Sequence, residues 1–248
     1  MQQTLEPFMW HTVLVTATEF DNFFELRCPK YQTPVSQSVE PQKSWKDLTE
    51  VHSNPENLKR LEANKDNWIF KMQHSLSAAE IHIQALAEAM WDAKNESKPK
   101  QLNPGEWHIP FGDTFDENEL TKILNRIRPI QPAWLEWQIN QINDLKIKIA
   151  TARCARLSYM TFEGKIDYEK DIALHDQLFN SKHYSPFEHC ARAMSDDEYE
   201  TYIKGKCNYY QMTTNLRPLL PDDENYGWCN NFKGFIPYRY LLESQLKK

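Results

Sequence analysis

Glycine is scarce in this sequence, with six residues in 248 against fourteen prolines. None of the six sits in a phosphate-cradling loop, which needs closely spaced glycines so that backbone N–H groups can approach the phosphates. HExxH and G-x-S-x-G are absent too, which removes the common zinc-protease site and the nucleophile elbow. Cysteine is sparse and poorly spaced: Cys28, Cys154, Cys190, Cys207 and Cys229 are odd in number and contain no CxxC pair. Neither a disulfide framework nor a zinc ribbon fits, and no metal site is expected. No apolar run approaches the roughly 20 residues that span a bilayer. The opening MQQTLEPFMW lacks a basic stretch followed by an apolar one, so the expectation is a reduced, cytoplasmic protein without a membrane partner. Blocks of Lys and Arg are missing as well. With a net charge of -6 and a pI near 5.8, polymeric nucleic acid is not an expected partner. A small anionic ligand stays open, because one or two placed arginines suffice to hold a phosphate.

What is present is globular: 40% hydrophobic and 26% charged residues, with eight Trp, twelve Phe and eleven Tyr as bulky core material. A mean hydropathy of -0.73 together with the prolines points to long polar connections. The length suits one domain with a sizeable core or two small ones.

FMWHTVLVT, Phe8 to Thr16, is β-branched and aromatic and reads as a strand. ATEFDNFFELR then reads as a helix to Arg27, with Thr18 as N-cap and Glu19 and Asp21 in its first turn. Residues 29–66 are polar and broken by four prolines, a surface insertion with at most one short helix. Trp68 to Ala93 is helical, with Ile81, Ile83, Leu86 and Met90 on one apolar stripe. A loop containing GEWHIP and a helix over Glu117–Arg128 follow. Trp134, Leu135, Ile139 and Ile142 give a helical period, which changes to alternation at Leu145, Ile147 and Ile149 and so predicts a short strand. Asp167–Asn180 is an amphipathic helix with Ile172, Leu174 and Leu178 inward. Irregular sequence follows His189, and NNFKGFIPYRYLLE closes with a strand. Strands segregated from longer helices indicate an α+β class.

Two segments carry chemistry. HYSPFEH, His183 to His189, gathers hydroxyl, carboxylate and imidazoles at a helix end, where Pro186 restricts Ser185 to extended geometry. Glu188 and His189 pairing with each other or capping a helix is the structural alternative. In TATEFDNFFELR a helix from Thr18 places Thr18 and Asn22 on one face and Arg27 past the last turn. An amide and a guanidinium there could hold a planar heterocycle, or could simply be surface groups. Cys190 reads as a buried inert thiol and His108 as a packed loop histidine.

Taken together, ARLS at 155–158, HYSPFEH at 183–189, and NFFELR at 22–27 followed by HSLSAAEI resemble the flavin-dependent thymidylate synthases. The order of the blocks, with LEPFMWHTVLVTATEFDNFF first and GEWHIP later, is similar to the circularly permuted, virus-type branch of that family. The resemblance implies a single α+β domain over 1–248, with 29–66 and 190–228 as insertions. It also implies FAD as cofactor, NADPH and methylenetetrahydrofolate as co-substrates, and dUMP or a related pyrimidine deoxynucleotide as substrate. By position, Arg27 resembles the catalytic arginine that polarises the uracil ring. Thr16, Thr18 and Asn22 fall at the flavin-contacting corner, where Thr16 and Thr18 replace the family's usual Asn and Arg. Ser158, His183, Ser185 and Glu188 fall where the family contacts FAD from a neighbouring subunit. A homotetramer is implied, in the cytoplasm of an infected cell if the protein is viral. The family's R-H-R-x7-S signature does not occur in these 248 residues. A truncated or split gene, with a complementary N-terminal polypeptide, is therefore expected, or else loss of catalysis and retention of a flavin- or nucleotide-binding role.

Overall fold

A computed structural model describes residues 13–32, 40–51, 54–127, 135–157, 167–202 and 226–246, without the side chains of 135–139, 245 and 246. The chain gathers into two compact units, one of residues 19–101 and one of residues 1–18 with 102–248.

The 19–101 unit is helical: α1 (Asp21–Arg27), α2 (Trp45–Glu50), α3 (Pro55–Ala63), α4 (Trp68–Met72) and α5 (Ile81–Glu96). Local chemistry starts several of these. The side chains of Ser44, Asn54, Asn67 and Glu80 accept the first free backbone N–H groups of α2, α3, α4 and α5, and Pro55 takes the first turn of α3, where a missing N–H costs nothing. The 29–66 stretch thus contributes two helices, and it is core rather than surface insertion: Tyr31, Trp45, Leu48 and Leu61 form a buried cluster. Tyr31 bridges to Gln42 and to Ser75. Of the expected stripe on α5, Met90 packs against Phe24, Cys28 and Ala87, but the rest faces outward. Ile81, Ile83 and Leu86 are 50%, 38% and 58% exposed, while Gln84, Ala87 and Glu88 are buried. The reason is electrostatic: Glu88 is drawn in by Lys71, the Tyr31 hydroxyl and the Trp45 N–H, and Gln84 by Ser75. Helicity also lapses between α4 and α5, where Ser75 accepts the N–H groups of Lys30 and Ser77.

The other unit pairs three long helices with short strands. Helix α6 (Glu117–Ile127), α7 (Leu135–Ala155) and α8 (Tyr168–Asn180) pack on one another, with Trp107 of β1 (Trp107–His108) against their cluster, and β2 (Ala191–Ala193) and β5 (Phe235–Pro237) lie in the same unit. These strands form one antiparallel sheet of order β1-β2-β5. A second antiparallel pair joins β3 (Trp228–Cys229) to β4 (Phe232–Lys233), and the unit also holds α9 (Asp196–Thr201), α10 (Tyr238–Leu246) and two 3-10 helices, Gly112–Thr114 and Ser185–Glu188. The mixture is α+β. The strand expected at Leu145–Ile149 is continuous helix, and of the strand expected over Phe8–Thr16 the described residues 13–16 carry no strand pairing. Leu145, Ile147, Ile149 and Ala150 are buried in one cluster, so α7 is apolar on several sides and its pattern loses the helical period. Phe8–Thr12 lie outside the described residues. Helix α8 begins one residue after its expected start because Asp167 is the cap, accepting the Lys170 N–H. Its buried face is Tyr168, Asp171 and His175, and Ile172, Leu174 and Leu178 are half-buried beside it. Gly227 has φ +73°, and a Cβ there would lie 2.0 Å from the Tyr199 ring, so the backbone can pass only as glycine.

Candidate functional site

Helix α8 ends in a left-handed turn at Lys182, φ 59°, with the His183 N–H returning to the Leu178 carbonyl. The SPFE stretch is a 3-10 helix, Ser185–Glu188, rather than an extended bend, with Pro186 in its first turn. Phe187 anchors it at 0% exposure, 5.0 Å from the His175 ring and stacked on Tyr238 at 5.6 Å. The turn is thus pinned by one aromatic, which leaves Ser185 and His183 exposed and Glu188 and His189 half-buried.

Long-range contacts then assemble the sequence motifs around it. Thr16 Oγ1 lies 2.9 Å from His189 Nδ1, across 173 residues. The Thr18 hydroxyl accepts the Lys233 N–H at 2.6 Å, and the Thr18 N–H donates to the Asn231 carbonyl at 3.1 Å. His108 stands opposite Ala191 in the sheet, two residues from His189. Arg239 reaches Glu188 and, at 2.8 Å, Glu243. Segments 13–18, GEWH, SPFEH and NNFKGFIPYR therefore meet in one unit. Neither structural alternative for the turn holds: Glu188 pairs with Arg239, and His189 pairs with Thr16.

Other expected site residues fall elsewhere. Thr18 is outside helix α1, whose N-cap is Phe20 without a side-chain cap bond. The shared Thr18–Asn22 helix face does not exist, because the Thr18 hydroxyl is committed to the β4 backbone. Asn22 and Arg27 are exposed residues of α1 in the 19–101 unit. Ser158 lies outside the described residues. Cys190 is fully buried and its thiol is pushed up by burial, which fits an inert thiol and not a nucleophile. His108 sits in strand β1 rather than in a loop, with an exposed surface but enough surrounding protein that burial lowers its pKa. Sequence reading missed Arg239 and the buried Asp171 with Arg153 and Arg156. The i, i+3 spacing of the two arginines was the available signal.

Burial lowers the His189 pKa below the ordinary histidine value; Glu188 opposes this and His108 adds to it. Burial likewise lowers His175, with its Asp176 hydrogen bond opposing and Lys148 assisting. An unfolded histidine titrates near pH ~6.5. Between that value and the lower folded values the unfolded chain binds more protons. Their contribution is thus complete above about pH 6.5 and lost as pH falls through the folded values. Urea unfolding at steps from about pH 7.5 to about pH 5 is expected to show decreasing stability, and a flat profile for wild type would contradict the assignment.

Among the described residues no group of three or more His, Cys, Asp and Glu can hold a metal ion, and no helix is long and apolar enough to cross a membrane. No family model, curated protein or solved structure matches the chain.

Proposed function

We propose that this chain contributes to a site for FAD and a pyrimidine deoxynucleotide of the flavin-dependent thymidylate synthase kind, with dUMP as substrate and methylenetetrahydrofolate and NADPH as co-substrates. One observation carries the reading: the Thr16–His189 hydrogen bond brings the segment that resembles the family's flavin corner against its SPFEH turn. In the same turn His183 and Ser185 are exposed polar side chains, suited to hydrogen-bonding the rim of a planar heterocycle. When bound, the flavin would supply hydride chemistry, and the chain's own part is to orient it. His189 holds Thr16 in place, and Arg239 fixes the Glu188 carboxylate from the adjacent helix.

The fit is partial. Arg239 is committed to Glu188 and Glu243, so it is not a free clamp for a pyrophosphate, and the R-H-R-x7-S signature does not occur in the sequence. These facts favour a second reading in which these 248 residues bind flavin or nucleotide without catalysing alone, the phosphate-gripping arginines coming from outside them.

Titrating FAD into the purified chain and following flavin fluorescence tests both readings. Binding is expected to weaken about tenfold in a Thr16→Val, Ser185→Ala double variant, since two polar contacts are lost. Methyl transfer to dUMP and to dCMP, measured with a polypeptide carrying the arginine signature added, separates the catalytic from the binding reading. A chain that takes up neither FAD nor dUMP with or without that polypeptide would sink both.

A further inference from the structure

We draw no further inference here: the strongest candidate, the exposed apolar surface that Ile81, Ile83 and Leu86 give helix α5, carries none because nothing in the structure shows what covers it.

Discussion

Asp171→Ala is expected to destabilise the protein by about 3–5 kcal/mol, the range seen when one partner of a buried ion pair is removed. Asp171 is completely buried, and its two oxygens take Arg153 Nε, at 3.2 Å, and Arg156. Removing it strands two guanidiniums, one of them 6% exposed, with no carboxylate left to meet them. The loss should persist in high salt, since a buried pair is screened far less than a surface one. Neutralising the surface pair Lys170–Asp167 by Lys170→Gln, where Lys170 is 79% exposed, should cost far less by comparison. Urea unfolding of the two variants side by side checks the contrast, and equal effects would mean that the cluster is not the structural centre of this unit.

Glu88→Gln is expected to cost a similar amount, about 3–5 kcal/mol, in the 19–101 unit. Glu88 Oε1 accepts the Trp45 N–H at 2.8 Å and Lys71 Nζ at 2.8 Å, and Oε2 accepts the Tyr31 hydroxyl at 3.0 Å. Lys71, 7% exposed, also faces the rings of Trp68, Tyr31 and Trp45 at 4.6, 5.6 and 5.6 Å. These rings attract the ammonium but cannot neutralise it. An amide at position 88 removes the counter-charge and brings an NH₂ donor into a ring of donors. Lys71→Met combined with Glu88→Gln should recover part of the loss, because no unpaired charge then remains. Near-UV circular dichroism of Trp45 and its neighbours, with unfolding free energies, provides the measurement. A double variant no better than Glu88→Gln alone would show that the ammonium is not the cause.

Helices α6 and α8 were legible because their ends are local. Asp167 and Asp116 cap them through bonds to residues two or three positions on. The buried face of α5 was not legible. Periodicity nominates Ile81, Ile83 and Leu86, and no local rule reveals that Glu88 has Lys71, Tyr31 and Trp45 waiting 17, 57 and 43 residues away. A charge with enough partners outcompeted an isoleucine for the interior. The strand expected at Leu145–Ile149 failed for a related reason, since burial on several sides of a helix erases the periodicity that would identify it. At the candidate site SPFEH stood out through its composition. That its histidine meets Thr16, and its glutamate Arg239, could not be read from neighbours in sequence.

By itself, then, the sequence determined the α+β composition, the spans of helices such as α6 and α8, and which short segments hold concentrated polar chemistry. These rest on interactions within one turn of chain. Tertiary structure alone decided which polar groups went inside and which distant segments came together, because a buried charge is tolerable only where its partners converge. Those partners are set by the packing of whole elements and not by any residue's neighbours.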